Sequence, residues 1–355
     1  MAMAHIMPTH LRAVLPHCIP SLHIVRAQAG LAIISDICDY AKSSAGLSNA
    51  DCVRRLGTLH CQLRGDDNPT SIIPAIALMP GAGALADDGM HDRYFRISRV
   101  AGNEGVTFLC SVLMAGLLFH AEMDSSYAAE DASRFAPVGL GLAAILSWIA
   151  DARIAIVEHR EVGSATRMMD IDPMRRWVLG HQVFAILTQG IAFALQDFEA
   201  ADRESRLWHA GMALGLAADL LIASGTAFRF TADFQASDYR DVVRPSMMAE
   251  HVGEGFSGLL SIDHRLLVAM FGRLRPAMGE IAKHYPAAHE RLAMALNYVY
   301  ENHKYVCAQF DGTAKPSLRC PKSKALPGVV QLEQFQRARM ALLLPQMGSE
   351  LSPHP

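Results

Sequence analysis

Apolar and polar positions along this 355-residue chain follow a helical period almost throughout. Residues 177–198 (WVLGHQVFAILTQGIAFALQDF) and 204–230 (ESRLWHAGMALGLAADLLIASGTAFRF) repeat apolar side chains at three- and four-residue intervals, as a helix does with one face in a core. Their Ala, Leu, Met and Gln content adds intrinsic propensity. The same period predicts a helix over 256–275, with Pro276 just past its end. It predicts another over 286–310, opened by Pro286 in the first turn and closed before Asp311-Gly312. No alternating run is long enough to predict strands, so neither a parallel sheet nor a nucleotide-binding crossover unit is expected. Loops are expected over 43–49, 64–69, 80–89 and 312–327. The expected fold is all-α. A ragged segment, 1–20, precedes one helical domain over 21–311, and a Pro/Lys-rich arm over 312–355 carries a short helix near 330–344.

Composition narrows the class. With 51% hydrophobic and 19% charged residues, the chain can bury a core and is not disordered. A formal net charge of −3 supplies no basic field for nucleic acid. The two most apolar runs, 106–119 and 138–150, fall short of the ~18 residues a membrane helix needs, and are expected as buried helices. Seven cysteines, an odd number with no Cys-x-x-Cys pair, exclude a disulfide scaffold, a zinc ribbon and the usual heme attachment sequence. The first twenty residues lack a signal-peptide apolar region. A cytoplasmic protein is expected, binding neither membrane nor nucleic acid, and such an apolar chain is compatible with a homo-oligomer.

Two motifs invite an enzymatic reading. Gly253-Glu254-Gly255-Phe256-Ser257-Gly258 matches a phosphate-binding string but lacks the preceding strand that aims its backbone donors, so a loop between helices is expected. Asp87-Asp88-Gly89-Met90-His91-Asp92 resembles the acidic motif by which all-α terpene cyclases hold magnesium diphosphate. A second metal motif and an aromatic cavity are missing, so a solvated acidic loop is the simpler reading. Paired Glu-x-x-His motifs of a di-iron bundle do not occur.

A stronger constellation lies towards the C-terminus. Leu292, Leu296, Val299, His303, Cys307 and Phe310 advance in steps of three and four and share one helix face, apolar apart from the imidazole. His303 and Cys307 therefore point the same way, about 6 Å apart at Cβ. Leu260, His264, Leu267, Val268 and Phe271 make a second such stripe. A core histidine beside a small buried thiol accounts for the first stripe. The two together could also grip one metal from opposite sides. Zinc would want a fourth ligand and a polar second layer, whereas heme wants apolar walls and cations for its propionates, which Arg265, Arg273 and Arg275 could supply. The apolar surroundings favour heme.

His264, thirty-eight intervening residues, then His303-Lys304-Tyr305-Val306-Cys307 resembles the His-xn-His-x-x-x-Cys signature of the heme-dependent 3-methyl-L-tyrosine hydroxylases of saframycin-type antibiotic biosynthesis. These belong with the histidine-ligated heme aromatic oxygenases, a mainly helical group that includes tryptophan 2,3-dioxygenase. The resemblance implies a tryptophan 2,3-dioxygenase-like helical core, with His264 and His303 as axial ligands and Cys307 in a single thioether bond to a c-type heme. It implies hydroxylation of 3-methyl-L-tyrosine to 3-hydroxy-5-methyl-L-tyrosine by hydrogen peroxide. Phe234-Gln235-Ala236-Ser237-Asp238-Tyr239-Arg240 is similar to the stretch whose arginine grips the substrate carboxylate in tryptophan 2,3-dioxygenase. On that likeness Arg240 binds the amino-acid carboxylate. The other reading pairs it with Asp238 or Asp241 on a helix surface. A six-coordinate iron has no vacant site, so His264 is expected to detach and then serve as proton shuttle. Two alternatives stay open: a bis-histidine electron-transfer or sensor protein, and a non-heme enzyme, either terpene-cyclase-like through Asp87, Asp88 and Asp92 or a zinc hydrolase.

Overall fold

The computed structural model describes residues 11–66, 72–73, 85–152, 171–252, 256, 261–310 and 327–343. The chain opens with β1 (Leu11–Val14), α1 (Leu22–Ala29), α2 (Leu31–Ser43), α3 (Asn49–Asp66), β2 (Ile72–Ile73), α4 (Leu85–Tyr94) and β3 (Ile97–Val100). It continues through α5 (Glu104–Ser126), α6 (Ala136–Ala150), α7 (Pro173–Arg203) and α8 (Leu207–Thr231). After a broken helical passage over 236–246 come α9 (Ile262–Leu274), α10 (Met278–His284), α11 (Pro286–Gln309) and α12 (Gly328–Leu343). The expected all-α class holds.

The long hairpin of α7 and α8 is the centre of the molecule, with α11 packed on α8 and α6 also against it. Local chemistry starts α7: the Asp172 carboxylate accepts from the Met174 and Arg175 amides at 3.0 and 3.1 Å, and Pro173 fills the first turn. α11 begins at Pro286, as the sequence indicates. On α8, Gly225 permits close approach: a Cβ there would lie 2.7 Å from Cδ1 of Tyr298 on α11. Val299, beside that contact, is part of the cavity described below.

Four sequence expectations change, and the first is the solvated acidic loop: its motif lies on α4, with His91 and Asp92 buried. The N-terminal segment is not ragged from residue 11 onward, since β1 pairs parallel with β3 (Leu11 opposite Ile97) and buries Leu11, Ala13 and Val14. With β2 antiparallel on the other side of β3, this makes a small sheet whose strands are too short to show alternation. The apolar runs at 106–119 and 138–150 belong to longer helices, 23 residues for α5 and 18 for the helical span ending in α6, with 78% and 61% of their apolar windows buried in the fold. Length alone would let them cross a membrane; burial in this core accounts for their composition. Finally, α12 is no appendage: it packs on α11 and α9 and helps wall the cavity.

Candidate active site

His264, His303 and Cys307 line one cavity of about 320 Å³, within the range of cofactor and small-molecule pockets. The α11 stripe behaves as its spacing requires. Leu292 is buried, while Leu296, Val299, His303, Cys307 and Phe310 face the cavity. From α9 come His264, Leu267, Val268 and Phe271; Leu260 lies outside the described residues.

Each imidazole is held by its own element. The Phe228 ring of α8 stacks on His303 at 4.3 Å, 15° from parallel. Next to His303, buried Asn302 accepts from Arg229 Nε at 2.5 Å and donates to the Tyr298 carbonyl at 2.9 Å, which fixes α11 on α8. His264 sits in the first turn of α9, capped by the Ser261 hydroxyl, which accepts from the His264 amide at 3.4 Å. Its neighbour Asp263 accepts two hydrogen bonds from Arg99, at 3.0 and 2.8 Å, and one from Gln189 at 2.9 Å. The same guanidinium donates to Asp92 at 2.7 and 2.9 Å and to the Val14 carbonyl at 3.1 Å. Arg99, Asp92 and Asp263 are each 1% exposed. One buried cation thus ties together the two segments carrying His91 and His264, both of which line the cavity.

Burial sets the protonation states. It pushes His264 and His303 down to about 4; the nearby Arg339 and His91 add to this at His264, and His264 adds to it at His303. Burial pushes the Cys307 thiol up to about 11. The donors are therefore neutral imidazoles and an un-ionised thiol. Among the described residues no hydrogen bond occupies a ring nitrogen of His264 or His303, and no group of three or more His, Cys, Asp or Glu converges as a bare-ion site. Imidazoles facing one apolar space, with a thiol one turn from one of them, fit a heme better than a lone metal ion.

Arg240 does not belong to this site: it is exposed and does not line the cavity. The reason is a π-turn over Tyr239–Val243, closed by the Arg244 amide donating to the Tyr239 carbonyl. That longer period brings Tyr239 and Arg244 to the cavity, where the guanidinium lies close enough to the phenol to offset part of the pKa rise that burial causes, and turns Arg240 outward. Arg265, Arg273 and Arg275 are likewise exposed; the arginines at the cavity are Arg244 and Arg339. Asp92 is occupied by Arg99, the Asp87 and Asp88 side chains lie outside the described residues, and so do Gly253, Gly255 and Gly258. His181, Arg244 and Arg339 went unnoticed in the sequence, and His91 was noticed only as part of the acidic motif. His181 carried a readable signal, because Trp177, His181, Phe184 and Thr188 step by four, three and four and all line the cavity.

Fold and site define an all-α enzyme with a deep cavity lined by imidazoles. Residues 27–293 match the family described as SfmD 3-methyl-L-tyrosine peroxygenase, and the chain belongs to that family. A 3-methyl-L-tyrosine peroxygenase of Streptomyces lavendulae is 28% identical over 288 residues, 77% of this chain and 78% of that protein. A crystal structure of reduced SfmD has the same fold, with a TM-score of 0.63 and 24% identity, over 84% of this chain and 98% of that one. The family match stops short of His303 and Cys307, so their place in the site rests on the geometry above. None of these matches favours the electron-transfer, sensor or terpene-cyclase-like alternatives.

Proposed function

We propose that this chain is a heme-dependent peroxygenase that converts 3-methyl-L-tyrosine to 3-hydroxy-5-methyl-L-tyrosine with hydrogen peroxide. The convergence of His264, His303 and Cys307 from two helices on one apolar cavity carries the reading, in a chain of the peroxygenase family. His264 and His303 would hold the heme iron, and Cys307, one helical turn from His303, would hold the macrocycle through a single thioether. Bound there, the heme supplies peroxide-driven oxidation of an aromatic C–H bond.

The protein positions, excludes water and moves a proton. His303 is the fixed ligand, pinned by the Phe228 stack and by Asn302. His264, in a first helical turn with no ring stacked on it among the described residues, is the less restrained of the two imidazoles and would be the one free to handle a proton. An imidazole nitrogen of His264 then takes the proton from a peroxide O–H and returns it as acid. The apolar walls exclude water around the substrate ring. Arg244, which lines the cavity beside Tyr239, binds the amino-acid carboxylate bidentately in place of Arg240. Incubating the purified holoprotein with 3-methyl-L-tyrosine and hydrogen peroxide should give a product one oxygen heavier, detected by mass spectrometry. No such product would mean an electron-transfer or sensing protein instead.

A further inference from the structure

His181 lines the cavity and has no part in the chemistry above. Its Nδ1 lies 2.7 Å from the Trp177 carbonyl oxygen. A carbonyl has no proton to give, so Nδ1 carries the hydrogen and donates it. In the neutral ring, Nε2 is then a bare acceptor. The ring is locked, because Phe95 stacks on it at 3.8 Å, 9° from parallel, and Trp177 packs tilted at 4.5 Å. Burial pushes its pKa down to about 3, so it stays an acceptor across neutral pH. Among the cavity hydroxyls, those of Thr188 and Thr231 donate to carbonyls of their own helices, those of Phe184 and Ala227, and Ser224 Oγ reaches no acceptor among the described residues, Nε2 of His181 included. Nε2 is therefore a rigid acceptor among aromatic walls. Left without a donor once the cavity is filled, it would carry a desolvation cost.

We propose that His181 recognises the phenol hydroxyl of the substrate, which donates its hydrogen bond to Nε2. A phenol suits this position because its single polar atom projects from an otherwise apolar ring. Two consequences follow for the proposed reaction. The bond fixes the ring's orientation, presenting one carbon ortho to the hydroxyl. It also draws the phenol proton towards the imidazole, which raises electron density at the ortho carbons where the new hydroxyl is placed. His181 is thus a substrate-binding residue that sets specificity for phenols.

This inference rests on the peroxygenase reading, and calorimetry on the purified holoprotein separates the two. The probes are 3-methyl-L-tyrosine and 3-methyl-L-phenylalanine, which lacks only the hydroxyl. The native protein should prefer the phenol by roughly tenfold to a hundredfold. In His181→Phe and in His181→Leu the preference should shrink to about twofold or less, with 3-methyl-L-phenylalanine affinity little changed. In His181→Gln, whose amide oxygen can still accept, part of the preference should return. Two apolar replacements are used so that misfolding of one leaves the other. A preference undiminished in the apolar variants, or none in the native protein, overturns the role of His181 alone. A native holoprotein that binds neither probe overturns the peroxygenase reading, and this inference with it.

Discussion

One helical turn separates His303 from Cys307, and burial acts on them in opposite senses. The imidazole falls to about 4 and the thiol rises to about 11, so both are neutral near pH 7. A neutral imidazole has a lone pair for a metal, and a thiol can add S–H across a vinyl double bond. Replacing Cys307 by Ala should let acid-acetone extract the heme that the native protein retains; heme that stays bound in the variant would remove the thioether. At the substrate end, Arg244→Lys should raise KM by roughly tenfold with kcat little changed, because a point charge replaces a planar fork. Arg240→Ala should change neither; the reverse pattern in steady-state kinetics would return the carboxylate to Arg240. His264, His303 and Cys307 stood out in the sequence because they lie on apolar helix stripes and match the His-xn-His-x-x-x-Cys signature, and the fold brings all three to one cavity. The place of Arg244 at the cavity was not legible, because a π-turn shifts register by a residue and leaves no mark in the pattern of side chains.

At the scale of elements, the site depends on how closely α11 approaches α8 and on how α9 is anchored. Gly225→Ala would place a methyl 2.7 Å from the Tyr298 ring and 3.3 Å from the Val299 backbone. Overpacking of this kind costs about 1–3 kcal/mol, and it should also loosen heme retention because His303 rides on the displaced helix. Denaturant unfolding and heme-transfer rates check both parts. The Arg99 clamp is more sensitive. Arg99→Met leaves Asp92 and Asp263 buried without their cation, which costs about 3–5 kcal/mol; an unchanged denaturation midpoint would show that the carboxylates are paired otherwise. The helices were readable from periodicity. The clamp was not, since Asp263 lies 164 residues from Arg99 and all three look like ordinary surface charges. Only the fold makes Asp92 structural rather than metal-binding.

The whole molecule joins an N-terminal layer of helices and a small sheet to the long central hairpin, with α12 forming part of the cavity wall. Its buried histidines make stability depend on pH. His120, hydrogen-bonded to Asn49 at 2.7 Å, is pushed down to about 4 by burial, and His181 to about 3. Their folded-state values lie below the ordinary histidine value of about 6.5, so the unfolded chain binds more protons as pH falls below it. Their contribution is fully present above pH ~6.5 and is lost on acidification down to the folded-state values, by about 3 kcal/mol for His120 alone. The melting temperature should therefore fall across that window and by less in His120→Gln; equal slopes would show that His120 is solvated. The overall class and the central helices could be inferred from composition and period. The sheet escaped because its strands are two to four residues long, and the role of α12 escaped because long-range packing has no local signature.

The central claim, a heme held between His264 and His303, is tested most directly by low-temperature electron paramagnetic resonance of the ferric holoprotein. The native spectrum should be low-spin with two imidazole ligands, and either His264→Ala or His303→Ala should convert it to high-spin. A low-spin signal that survives both substitutions would contradict this ligand pair.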